Sequence, residues 1–207
     1  RIANDARTMS QGPFVTVVFE DPREGASADT LEPSYRQARE ADAARTGASV
    51  RVFRTASLDP RAVLPAFVTT FEHSASAFDV AALGDVGTKV VGSGTYALRN
   101  VMPGSADACE ARGMLIGITD CGDMARIDEF HRWYDECHAA DVMKFGAYQR
   151  GRRFVAESSD LGGFLALYET TGEEPATFKS YLAWPERDRS RCEVFVVRQV
   201  ATLRRIG

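Results

Sequence analysis

The clearest alternation of apolar and polar positions lies in the second half of the chain. Met114-Leu115-Ile116-Gly117-Ile118 is an apolar run of strand length, closed by the turn-forming Thr119-Asp120-Cys121-Gly122. From Met124 to about Val142 the period lengthens to that of a helix. Ile127, Phe130, Trp133, Tyr134 and Cys137 recur at threes and fours, and Asp128 and Glu129 occupy the first turn, where the helix dipole favours acids. Beyond Gly146, Tyr148–Glu157 and Gly163–Thr170 read as two strands joined by Ser158-Ser159-Asp160-Leu161-Gly162. Glu174-Pro175 opens a second helix with proline at a tolerated early position, and Arg191–Leu203 closes the chain as a β-rich run. The order βαββαβ predicts a ferredoxin-like unit, helices on one face of an antiparallel sheet.

The first half reads as a degenerate copy. Gly47–Thr55 aligns with Gly162–Thr170 at an offset of 115 residues, and the same offset carries Pro60 onto Pro175, both read as helix starts. Val15–Phe19 aligns with the strand at Leu115–Thr119. Val91 and Leu98-Arg99 fall on Val196 and Leu203-Arg204. In this alignment the copy lacks a stretch around its first helix and second strand. The fold class expected is α+β: two ferredoxin-like units, residues 1–112 degenerate and 113–207 complete, pairing into an α+β barrel.

Composition narrows the functions available. Twenty-five Lys+Arg against 29 Asp+Glu give a formal charge of −4, so non-specific nucleic-acid and anionic-membrane binding are not expected. No apolar run has the length of a membrane helix. Cys109, Cys121, Cys137 and Cys192 form no C-x-x-C pair, which predicts reduced thiols in a cytoplasmic protein. The three histidines, His73, His131 and His138, are not spaced as a zinc site, so no metal is expected. Gly92-Ser93-Gly94-Thr95-Tyr96-Ala97 matches a dinucleotide fingerprint in letters only, because Met102-Pro103-Gly104 ends any helix that would follow.

Chemistry concentrates on the Met124–Val142 helix. On a wheel of 100° per residue centred on Phe130, Asp141 lies about 20° from the centre of the buried stripe, His138 about 80° and His131 about 100°. A carboxylate aimed at the core needs a partner, and the i, i+3 relation offers His138. An imidazole steered by Asp141 and lined by Trp133 and Tyr134 is equipped for proton transfer. Arg153 and Tyr168 are candidates to stabilise developing negative charge, with His131 and Tyr148 as further pocket residues. His73 reads as a surface histidine, and Glu20-Asp21 and Asp42 as solvated charges.

Glu129, Phe130, Trp133, Tyr134, Asp135, His138, Asp141 and Val142, followed by Gly146, Arg153 and Ala166-Leu167-Tyr168-Glu169, resemble the EthD-like members of the dimeric α+β barrel superfamily. The resemblance spans Met114 to Leu203. It implies ferredoxin-like units paired into a barrel, and cofactor-independent isomerases, cyclases, lyases and oxygenases among the relatives. It maps the family histidine to His138 and its acidic neighbour to Asp141. Ser34-Tyr35-Arg36-Gln37 holds no counterpart of the W-Y-D-x-x-H cluster, so no second site is expected in the first half.

The leading expectation is therefore a cofactor-free lyase, isomerase or cyclase acting on a small aromatic or carbonyl-containing substrate, with His138, Asp141, Arg153 and Tyr168 catalytic. The substrate is the expected partner, and pairing of exposed sheet edges makes a homodimer a candidate. The alternatives are a non-catalytic α+β barrel that binds a small molecule or serves structure, and a haem protein with one histidine as axial ligand.

Overall fold

The computed structural model describes residues 13–56, 64–107, 110–187 and 190–206. Eight antiparallel strands form a closed barrel: β1 (Phe14–Pro22), β2 (Ser49–Thr55), β3 (Phe67–His73), β4 (Thr88–Val101), β5 (Gly113–Cys121), β6 (Arg150–Ser159), β7 (Phe164–Thr170) and β8 (Phe195–Arg205). Around the barrel the order is β1-β3-β2-β8-β5-β7-β6-β4. Each half thus has the ferredoxin-like order of its own strands, fourth-first-third-second, and the halves join at β2–β8 and β4–β6. The barrel closes within one chain, so its strands leave no free edge for a second copy to pair with.

Alternation decides which side chains fill the barrel. Val15, Val17 and Phe19 of β1, Phe53, Val68, Tyr96, Met114, Ile116 and Ile118 of β5, Phe154, Leu165, Leu167, Ala201 and Leu203 form one buried cluster drawn from all eight strands. The same interior rows end in a charged quartet. Arg51 pairs with Glu72 and, at 2.8 Å, with Glu169, while Arg152 reaches Glu72 at 2.9 Å and Glu169 at 2.7 Å. Despite its burial, the two guanidiniums hold the Glu72 carboxyl down at about 2. Arg51 and Arg152 stand on the second strands of the two halves and Glu72 and Glu169 on the third strands, so the quartet repeats the internal symmetry of the barrel.

Helices cover the outside. In the first half α1 (Ala28–Thr46) is opened by Ser27, whose hydroxyl accepts from Thr30 N–H, and closed by Gly47 in the left-handed conformation at φ 70°. The second helix of that half is reduced to the 3-10 turn Val80–Ala82. The second half carries α2 (Ile127–Trp133), a π turn (Tyr134–His138) and α3 (Ala139–Lys144) in unbroken succession, and then α4 (Glu174–Ala183).

The internal alignment read from the sequence is shifted by one strand. Ser49–Thr55 is the second strand of its half, not the third, and the third is Phe67–His73, whose central Thr69-Thr70 weaken its apolar signature. Neither the first helix nor the second strand is missing from the first half; the shortened element is its second helix. The helix start at Pro60 and the thiol of Cys109 lie outside the described residues. Gly92 and Gly94 lie within β4 and open no helix. An added Cβ would run into Leu161 from Gly92 and into Ser159 and Tyr96 from Gly94, so these glycines serve strand packing.

Candidate functional site

The helix succession α2–π–α3 lays Phe130, Tyr134, Ala139 and Val142 on the outer face of the second-half sheet, against Leu115, Phe164, Ala166 and Tyr168. The π turn adds one residue to the helical register: the Ala139 N–H reaches back five residues to the Tyr134 carbonyl. A uniform wheel does not hold across such a turn. His138 accordingly stacks on Trp133, five residues earlier, with ring centroids 5.3 Å apart and planes 12° off parallel. Tyr134 stands edge-on to the imidazole at 4.9 Å. Trp133 is itself fixed, its indole N–H donating to Ser190 Oγ at 3.1 Å.

These rings border a cavity of about 620 Å³. Its helix wall is Trp133, Tyr134, His138 and Val142, and its sheet wall includes Leu115, Gly117, Thr119, Tyr168, Phe195 and Val197. Phe178, Tyr181 and Leu182 of α4 form a third wall, and Arg187, Ser190, Arg191 and Cys192 a fourth. An added Cβ on Gly117 would meet nothing within 4 Å, so this glycine leaves open space in the floor. Burial pushes the Tyr168 hydroxyl well above its ordinary pKa, with the Tyr134 hydroxyl beside it, so Tyr168 stays protonated near neutrality.

The structure divides the residues singled out in the sequence. Trp133, Tyr134, His138 and Tyr168 come together at the cavity; His131, Asp141, Tyr148 and Arg153 are not part of its lining. Asp141 is buried, and its carboxylate accepts from Tyr181 Oη at 2.8 Å. Arg153, fully buried, does not stabilise charge in the cavity. Its guanidinium donates to Asp135 Oδ1 at 2.8 Å and meets His131 Nδ1 at 3.0 Å. Burial, helped by the Arg153 charge, lowers His131 to about 4. Its Nδ1 is thus a neutral acceptor and the ring no proton shuttle at neutral pH. Tyr148 Oη donates to Glu174 Oε1 at 2.8 Å, away from the cavity.

Three residues read as exposed are buried. His73 lies between Thr16 Oγ1, 2.8 Å from Nε2, and the Ala75 carbonyl, 2.7 Å from Nδ1. Glu20 and Asp42 both pair with Arg39. Pattern reading missed Gly117, Arg187, Arg191 and Phe195 as lining residues. The arginines sit in a loop without periodicity, and a strand glycine gives no sign of which face is hollow.

No family model matches the chain, and no curated protein matches it in sequence. Solved structures do share its architecture. An anthrone oxidase-like protein superposes with TM-score 0.62 at 9% identity, covering 96% of this chain and 93% of its own. A haem-binding protein from Thermus thermophilus gives 0.56 at 10% identity, covering 95% and 92%. A mutant chlorite dismutase from Candidatus Nitrospira defluvii, in complex with cyanide, gives 0.53 at 11% identity, covering 98% and 95%. The chain has the α+β barrel fold of chlorite dismutase-like proteins.

That finding corrects the expectation of a cofactor-independent lyase, isomerase or cyclase. Structural neighbours include a protein described as haem-binding and chlorite dismutases. Of the four residues expected to be catalytic, His138 and Tyr168 line the cavity, whereas Arg153 is bound to Asp135 beneath the helix and Asp141 accepts from Tyr181. Among the described residues no group of three His, Cys, Asp or Glu is arranged to hold a metal ion through protein ligands alone. No helix of the described residues is long and apolar enough to cross a membrane.

Proposed function

We propose that the second-half cavity binds haem, which the His138 imidazole would hold through a ring nitrogen. One juxtaposition carries the reading: a single imidazole, stacked on Trp133, borders an apolar space of about 620 Å³ whose sheet wall bears no charge. The volume lies within the range usual for cofactor pockets.

The residues present fit the group. Ring and aliphatic walls suit a flat macrocycle, and Gly117 withholds a side chain where one would intrude. Arg187 and Arg191 suit the two carboxylates such a macrocycle carries. A neutral imidazole is the common protein ligand of haem iron, and of the three histidines only His138 borders this cavity. The structural neighbours described as haem-binding and as chlorite dismutases support the same choice. When bound, haem supplies one-electron and dioxygen- or peroxide-directed chemistry. The chain's own part is to hold and exclude. Trp133, tethered to Ser190, sets the plane of the imidazole, and Leu115 and Phe195 give the space apolar walls.

Absorption spectroscopy during titration of the purified protein with haem tests this. The expected result is a shifted Soret band that saturates at about one equivalent, with affinity reduced by about 10²-fold or more in His138→Ala. A spectrum that stays that of free haem at every ratio would overturn the reading.

We further propose EthD-like ancestry, two units at residues 1–112 and 113–207, a cytoplasmic setting and a small-molecule substrate, with no nucleic-acid or membrane partner; a homodimer would form through surfaces other than sheet edges, which the barrel closes.

A further inference from the structure

A π turn carries one residue more than the α-helix around it and persists only where its surroundings hold it, often at functional positions. Here one side chain from the sheet supplies that hold. Arg153 projects from β6 under the helix with no exposed surface. Its Nη1 donates to Asp135 Oδ1 at 2.8 Å, the second residue of the π turn. Its Nη2 lies 3.0 Å from His131 Nδ1, in the α-helical turn before it. The guanidinium carbon stands 4.0 Å from the centre of the Tyr134 ring and 5.0 Å from that of Phe130. One planar cation thus grips four residues, 130, 131, 134 and 135, across the point where α becomes π. On β4, Asn100 Nδ2 adds a contact to Asp135 at 3.4 Å and Arg99 another at 3.8 Å.

We infer that Arg153 is the positioning residue of the site: it fixes the π turn and, through Tyr134, the orientation of the His138 imidazole. Tyr134 transmits the hold directly, its ring lying against the guanidinium on one side and edge-on to His138 at 4.9 Å on the other. Loss of the extra residue from the register would turn everything downstream by about 100°, enough to carry His138 off the cavity wall. A planar fork can serve two acceptors while covering a ring, which a lysine ammonium cannot do. The low pKa of His131 belongs to the same device, since its Nδ1 must stay unprotonated to meet Arg153. The inference deepens the haem reading and relies on it for what His138 does, but the positioning itself is measurable without haem.

The experiment uses the whole chain without added haem. The ring-proton NMR shifts of His138, which sense the stacked Trp133 and edge-on Tyr134, are recorded in wild type, Arg153→Lys and Arg153→Met. Circular dichroism confirms retained structure, and Asp135→Ala, which removes the acceptor of the Arg153 Nη1 hydrogen bond, serves as a second route should either arginine variant fail to fold. The expected result is collapse of the ring-current shifts in all folded variants, Arg153→Lys included, although it keeps the charge. Haem affinity should fall about 10-fold or more in parallel. Wild-type His138 shifts in folded Arg153→Lys or Asp135→Ala would overturn the inference. Collapsed shifts in variants of a protein that takes up no haem would leave the positioning role standing and end the haem reading alone.

Discussion

The two halves of the barrel solve the same packing problem with different residues. In the first, α1 lies on the sheet through a charged network: Arg39 donates to Glu20 at 3.0 and 2.8 Å and to Asp42 at 2.6 Å, and Tyr35 and Thr88 donate to Glu20 as well. These groups are buried, and the space beside Glu20, Arg39 and Thr88 is only about 210 Å³. In the second half the corresponding helix presents rings, and α4 stands where the first half has only a 3-10 turn, so the helix–sheet interface opens into a cavity. Polar groups that must satisfy one another pack solidly, whereas an apolar interface can stay hollow for a ligand.

The comparison predicts where stability and binding reside. Arg39→Ala strands Glu20 and Asp42 in the interior and should cost about 3–5 kcal/mol, the range for breaking one side of a buried ion pair. His138→Ala removes ring contacts beside a cavity and should cost only about 1 kcal/mol. Urea unfolding of both variants measures the contrast. Equal losses, or a larger loss at His138, would mean that the two interfaces are not built on different principles.

A buried carboxyl in the second half sharpens the contrast by pH. Glu20 receives hydrogen bonds from three side chains, whereas Glu174 receives one, from Tyr148, and burial raises its pKa from 4.5 to about 7. Because the folded value lies above the unfolded one, the folded state binds the extra proton. The stability this gives is fully present below pH 4.5 and lost as pH rises through about 7. At most this amounts to about 3 kcal/mol. Unfolding free energies measured from pH 4.5 to 8 should carry that slope in wild type and lose it in Glu174→Gln. A slope that persists in the variant would assign the titration elsewhere.

How much of this was legible in the sequence depends on period. The strands and helices of the second half announce themselves because their apolar positions recur at two or at three and four, and Trp133, Tyr134, His138 and Tyr168 could be placed together on that basis. Ser49–Thr55 alternates as Phe164–Thr170 does, so alternation alone could not tell a second strand from a third. The π turn is invisible to a wheel that assumes constant rotation, which is why the stacking of His138 on Trp133, five residues earlier, went unread. The roles of Arg153, Glu20 and Asp42 were hidden for another reason: a charged residue is exposed by default, and only its three-dimensional partners reveal that it is buried.

The smallest expected effect on stability tests the hollow itself. Gly113 and Gly117 lie on the same strand, yet their surroundings differ. A Cβ at Gly113 would come within 2.6 Å of Glu174 Cβ and 2.9 Å of its backbone nitrogen, whereas at Gly117 it would enter open space. Gly117→Val should therefore leave stability within about 1 kcal/mol of wild type, or raise it slightly, because glycine is a poor strand residue. The branched side chain would occupy cavity volume, so haem uptake should fall although no proposed ligand or carboxylate partner has been touched. Gly113→Ala inverts the pattern, lowering the unfolding midpoint while leaving the cavity unobstructed. If Gly117→Val instead destabilised the protein as much as Gly113→Ala, the floor beneath His138 would be filled in solution, and the difference between a solid and a hollow half would disappear.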